Sequence, residues 1–365
     1  MDTFASELCA NFKHQLEANH VIKQDQIFVG VYPRGPNGTE LLGNFKNVSA
    51  FNFQDDIGAA ILDICKVTPF GVLCFLPSYS LLEKILDRMK DTGLYRILQQ
   101  YKEIVIEPRA GSTEEFEQLI KHYYSVIAAC CSSPTGTAAP TSTSQRIVSG
   151  AIFFAVYRGK VSEGLDFADE NARAVINIGI PYPAFKDPKV TLKKEYNDRN
   201  RDSLLPGNQW YETQAFRALN QALGRCIRHR HDWGAVIFLE QRFTLPRNVQ
   251  KLSKWVRPAV RQFPSYADGL AQLRQFMLQK GSKLPEDLIS PTVIQDEPSK
   301  PAPKKQKNWP PKREVTSTGL SWAIDRESDV IVVDAETEPT TTFRKTSDFF
   351  KKGKTLGARR SRTYE

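Results

Sequence analysis

Five short apolar runs set the fold class of this chain: VLCFL at 72–76, IVI at 104–106, AIFFAV at 151–156, AVINIGI at 174–180 and AVIFL at 235–239. They are rich in β-branched and aromatic residues and mostly lack the polar alternation of a half-exposed strand, so they fit strands buried on both faces. Helical stretches lie between them. Ser80 with Glu83 has capping-box spacing for a helix through Leu86 and Met89. Ser112 with Glu115 does the same for a helix through Phe116, Leu119 and Tyr123. Strands alternating with helices predict βαβ units, hence an α/β domain with a mostly parallel sheet flanked by helices. Ligands of such sheets gather at the carboxyl ends of the strands.

With 365 residues and 41% hydrophobic content, the chain can build one sizeable domain plus extensions. The spacing predicts that domain over 1–285. A stretch rich in Ser, Thr, Pro and Ala at 131–149 reads as a flexible insertion between a helix and a strand. Over 286–365 prolines recur (Pro291, Pro298, Pro301, Pro303, Pro310, Pro311), charge is dense and periodicity is lost, which predicts a disordered tail. The formal net charge of +9 favours an anionic partner, nucleic acid before a membrane surface. No apolar run approaches the ~18–20 residues needed to span a bilayer, and no signal-peptide core opens the chain, so an intracellular protein without a membrane partner is expected. The six cysteines (Cys9, Cys65, Cys74, Cys130, Cys131, Cys226) show no ligand spacing and read as reduced and structural. No metal site follows from them.

Chemistry concentrates in QALGRCIR at 221–228. On a helix, Gln221, Arg225 and Arg228 share a stripe about 60° wide, opposite Phe216, Leu219, Leu223 and Ile227. One face would enter a core while the other holds out an amide and two guanidiniums, rigid forks that match phosphate oxygens. A solvated helix with ordinary salt bridges has the same pattern. Two other segments sharpen the choice. RGKVSEGLDF at 158–167 follows a strand and gathers Gly159, Lys160, Ser162, Glu163, Gly164 and Asp166. There glycine would let backbone N–H groups approach a phosphate, and Asp166 would orient an arginine or a water. FLPSY at 75–79 ends a strand and places Ser78 to hydrogen-bond a phosphodiester.

Taken in this order, FLPSY, RGKVSEGLDF and QALGRCIR resemble motifs IV, V and VI of the second RecA-like domain of XPD-like, iron–sulfur superfamily 2 DNA helicases. LEANH at 16–20, NARAVINIGIPYP at 171–183, YND at 196–198, LPGNQWYE at 205–212 and ALNQALGRCIRHRHDWGA at 218–235 resemble the Fanconi anaemia group J branch of that family. The resemblance covers roughly residues 2 to 280. It implies that Arg225 and Arg228 reach the γ-phosphate as arginine fingers and that Gln221 positions it or the attacking water. It further implies that Glu163, Gly164 and Asp166 couple nucleotide to DNA, and that Ser78, Lys160 and Ser162 contact the strand. ATP with Mg²⁺ and 5′→3′ movement on single-stranded or forked DNA are implied as well, in DNA repair.

Such a motor also needs a first RecA-like domain with a Walker A loop, a DEAH carboxylate and four cysteines for a [4Fe–4S] cluster. None of these is present. The Gly-Lys-Thr at 353–355 has Asp348 where the first glycine is required and follows no strand. The chain is therefore expected to be a fragment, a truncated gene reading or a short isoform, inactive without the first domain. In the tail, Lys304, Lys305, Lys307, Lys312 and Arg313 read as a nuclear-import signal, or as a solubilising run. Val330, Ile331, Val332 and Val333, flanked by acids, resemble a SUMO-interacting strand. Phe349 and Phe350 resemble a sliding-clamp box that lacks its glutamine and aliphatic anchor. Half a helicase, a non-catalytic nucleic-acid binder and a scaffold working through its tail all remain open at this point.

Overall fold

The computed structural model describes residues 21–133, 148–162 and 165–281, with isolated positions before residue 21. The chain divides into two units, Met1–Ile294 and Gln295–Glu365, and every described residue belongs to the first. The expected tail with its SUMO-like, clamp-like and basic segments, most of the 131–149 insertion, and Glu163 and Gly164 lie outside the described residues.

A seven-stranded sheet forms the centre, in the order β3-β4-β2-β5-β6-β1-β7. Its strands are β1 Ile27–Val31, β2 Phe70–Leu76, β3 Glu103–Ile106, β4 Gly150–Val156, β5 Ala174–Ile178, β6 Gly234–Leu239 and β7 Val260–Gln262. All six pairings are parallel, with Val72 beside Ala174 and Ile104 beside Ile152 fixing the register of the middle. The five expected strands are all present. β5 stops at Ile178 because Gly179 turns to φ +69, with Pro77 packed where a side chain would stand. β1 and β7 were not expected: IFVGV carries a glycine, and VRQ has no apolar run.

Two layers of helices cover the sheet. On one face lie α1 Phe51–Val67, α2 Tyr79–Asp91, α3 Leu94–Tyr101 and, near the chain's end, α8 Tyr266–Gln279. The other face is covered by α4 Thr113–Ser132 and α6 Gly207–Leu223, with α5 Pro188–Arg199 packed on α6 and the short α7 Pro246–Val249 nearby. Alternate strand residues feed the two cores: Leu73, Phe75, Phe153 and Val175 on the α4/α6 side, Val72, Cys74, Phe154 and Ile176 on the other. That is why the strands read as unbroken apolar runs.

Local signals explain some helix ends. Ser112 and Glu115 form the expected capping box of α4. At α2 the cap is Ser78, whose Oγ accepts the Leu81 N–H at 3.2 Å, and Ser80 sits inside the first turn. α1 starts at Ala50 with no side-chain cap and buries most of its surface, so neither a start signal nor a clean stripe marks it.

Candidate functional site

α6 does not carry the arginines. It ends at Leu223, and the chain tightens through bonds from Arg225 N–H to the Ala222 carbonyl and from Cys226 N–H to the Leu223 carbonyl. Cys226 and Ile227 then turn under the sheet. The Cys226 Sγ lies so close to Gly234 that a Cβ there would stand 2.6 Å away. The helical stripe predicted for Gln221, Arg225 and Arg228 is therefore corrected. The burial of Phe216, Leu219, Leu223 and Ile227 is as expected.

The two guanidiniums meet nonetheless, on the loop that follows β4. Arg225 donates through Nη1 to the Leu165 carbonyl and through Nη2 to the Ser162 carbonyl. Arg228 donates through Nη2 to the same Leu165 oxygen at 2.7 Å, and its Nε pairs with Asp166 Oδ1 at 2.9 Å. The Asp166 side chain is 77% exposed and that of Arg228 29%. Gln221 is exposed on the last turn of α6 and takes no part in this bonding.

Residues that sequence reasoning missed hold the cradle in place. Tyr124, on α4, donates its hydroxyl to the Asp166 carbonyl at 2.7 Å, and burial raises its pKa. Phe167 is fully buried against Tyr123, Tyr124 and Phe153, so the segment from Leu165 runs down the face beside α4. Asp232 is fully buried and accepts Arg228 N–H at 2.9 Å, Trp233 N–H at 2.8 Å and Arg173 Nη1 at 2.8 Å. The arginines thus lie on the α4/α6 face, and only the start of their loop sits at the carboxyl edge, where ligands were expected. The spacing of Asp232 from Arg228 was visible, but its link to Arg173 spans 59 positions and has no local signature.

At the carboxyl edge itself, Ser78 is exposed, with its oxygen engaged as the α2 cap. Lys160 is exposed, 3.4 Å from the Gly111 carbonyl and 5.3 Å from the Phe116 ring centroid. Ser162 is 1% exposed, and its hydroxyl donates to the Gly159 carbonyl at 2.8 Å, so it is not presented to a strand. Gly159 faces the Glu107 carboxylate, not open space as expected for a phosphate approach.

Among the described residues, Asp169, His229 and Asp232 place three donor atoms within 4.8 Å of one another. The Asp232 oxygens are already filled by Arg173, Trp233 and Arg228, a poor fit for a cation. Among the described residues the free cysteines divide between the two cores, with Cys65 and Cys74 on one side, Cys130 and Cys226 on the other and Cys131 exposed. They do not fit an iron–sulfur cluster. No helix among the described residues is long and apolar enough to cross a membrane.

Residues 61–259, more than half of the chain, match the helicase C-terminal domain family. The chain belongs to that family. A Fanconi anemia group J protein homolog from Gallus gallus is 49% identical over 280 residues, covering 76% of this chain and 21% of that protein. A regulator of telomere elongation helicase 1 homolog from Drosophila willistoni is 40% identical over 277 residues, covering 74% and 26%. The resemblance to the Fanconi anaemia group J branch seen in the sequence is matched by these two relatives, each similar over about three quarters of this chain. The chain spans only about a fifth to a quarter of the relatives' length. A solved XPD helicase aligns at 18% identity and TM-score 0.43, over 65% of this chain and 35% of that one.

Proposed function

We propose that this helicase C-terminal domain is the second half of an ATP-dependent DNA motor, acting with a first RecA-like domain that binds ATP and Mg²⁺. The observation that carries the reading is the meeting of Arg225, Arg228 and Asp166 on the carbonyls of Ser162 and Leu165. A group that reaches a γ-phosphate must be charged, forked and able to swing. Arg228 meets this description: it is partly exposed, and its ion-pair partner Asp166 stands in solvent. Arg225 is the fixed link between the two motifs, and Gln221 is free to turn toward water or phosphate. Asp166 holds Arg228 until nucleotide competes for it, which is how hydrolysis would be coupled to the strand-facing residues Ser78 and Lys160. Single-stranded or forked DNA is the substrate, the branch implies 5′→3′ movement and a role in repair, and the basic cluster at Lys304 supports a nuclear location. Any [4Fe–4S] cluster belongs with the first domain.

Three measurements test this. The chain alone should show no DNA-stimulated ATPase, yet should bind single-stranded DNA through about three to five phosphates, a slope of log K on log salt of about −2 to −3.5. A slope near zero rejects phosphate contacts; the titration is repeated on a chain ending near Leu288 to remove the basic tail. Joined to a Walker-bearing first domain, Arg228→Ala should keep DNA binding and lower ATPase by about 10³ or more. Unchanged turnover per folded molecule would overturn the assignment of Arg228.

A further inference from the structure

Glu107 is a buried acid outside the chemistry proposed above. It stands just past the end of β3 and is 2% exposed. Its Oε2 accepts the Val156 N–H at 2.9 Å and its Oε1 the Val161 N–H at 3.4 Å. Val156 ends β4, and Val161 lies in the 3-10 turn Lys160–Ser162. One carboxylate therefore spans the bend by which the chain leaves the sheet. The fit is reciprocal, since a Cβ on Gly159 would stand 2.3 Å from Glu107 Oε1. Position 159 is glycine because the carboxylate fills that space. Burial raises the carboxyl's pKa, opposed by the same N–H groups and by Lys160. Beyond the turn, the Ser162 carbonyl receives Arg225, and Lys160 reaches back to Gly111 on the loop that begins at Glu107.

We propose that Glu107 is a positioning residue for the turn 157–162, setting where Lys160 and the Ser162 carbonyl that receives Arg225 stand, without touching nucleotide or DNA. It rests on the preceding reading only for what Lys160 meets, a phosphate. A carboxylate is acceptor-only, so both of its oxygens can receive N–H groups. Glutamine keeps the size but offers one acceptor and an NH₂ that faces a donor. Aspartate keeps the charge and shortens the reach.

The test uses the 365-residue chain as wild type, Glu107→Gln, Glu107→Asp, Lys160→Ala, the Glu107→Gln/Lys160→Ala pair and the control Glu103→Gln. Each is melted, followed by hydrogen exchange and titrated with oligo-dT across a salt series. Glu107→Gln should melt cooperatively while amides in 156–162 exchange about tenfold faster or more, as for one lost hydrogen bond. Its salt slope should be shallower by about 0.7, one phosphate contact on a single strand. Lys160→Ala should lose the same amount and the double variant no more, because all three remove one contact. Unchanged exchange, or slope losses that add to about 1.4, would overturn the proposal. If wild type fails to bind oligo-dT, the phosphate-facing reading falls while the exchange arm still decides Glu107. If both Glu107 variants fail to fold, Glu107 is a core residue of the sheet and the proposal is wrong.

Discussion

Arg225 and Arg228 look equivalent in sequence and differ in what removing them leaves behind. Arg225 is half-buried and supplies charged hydrogen bonds to two main-chain carbonyls, so Arg225→Ala should cost about 2 kcal/mol in denaturant melts. Arg228 pairs with an aspartate that is 77% exposed, and Arg228→Ala should cost less than about 1 kcal/mol. Equal costs would show that the loop is held elsewhere. Lys102 offers a second contrast. It is fully buried, donates to the Phe70 carbonyl at 2.9 Å and the Ser149 carbonyl at 3.3 Å, and burial lowers its pKa to about 8. Below pH 8 folded and unfolded chains both carry the proton, and the cost of burying the charge is fully present. Between pH 8 and the unfolded value near 10.5 the unfolded chain holds more protons, so stability rises with pH. The rise is of order 3 kcal/mol at most for this one group. Lys102→Met should lack it, read as the difference between the two pH–stability curves.

At the level of elements, α6 and α2 show which local signals are trustworthy. Leu223 is fully buried at the last turn of α6, and Leu223→Ala should cost about 2–5 kcal/mol through the cavity it leaves. Ser78→Ala should cost about 0.5–2 kcal/mol through the lost α2 cap, whereas Ser80→Ala should be nearly silent. A larger effect at Ser80 would restore the capping box that its spacing with Glu83 suggests. The capping box at Ser112 and Glu115 was readable because both partners lie within one turn. α1 was not, because Ala50 gives no side-chain cap and the sheet and neighbouring helices cover most of its surface.

For the whole molecule, the parallel order β3-β4-β2-β5-β6-β1-β7 brings the β4 loop and the turn after α6 together although they lie some 60 residues apart in sequence. The sequence by itself determined the α/β class, five of the strands and the residue types at the site, because apolar runs, caps and charged forks are local properties of the chain. It also carried the family, through the order of three short segments. Only the tertiary structure decided that the arginines leave the helix, because the chain turns to seat Cys226 against Gly234 and Ala235 of β6. Packing likewise decided that Ser162 is hidden and that Gly159 serves a carboxylate. The Arg173–Asp232 and Glu107–Val161 contacts join residues more than 50 positions apart, and no periodicity of 2 or 3.6 residues can register a distance of that length.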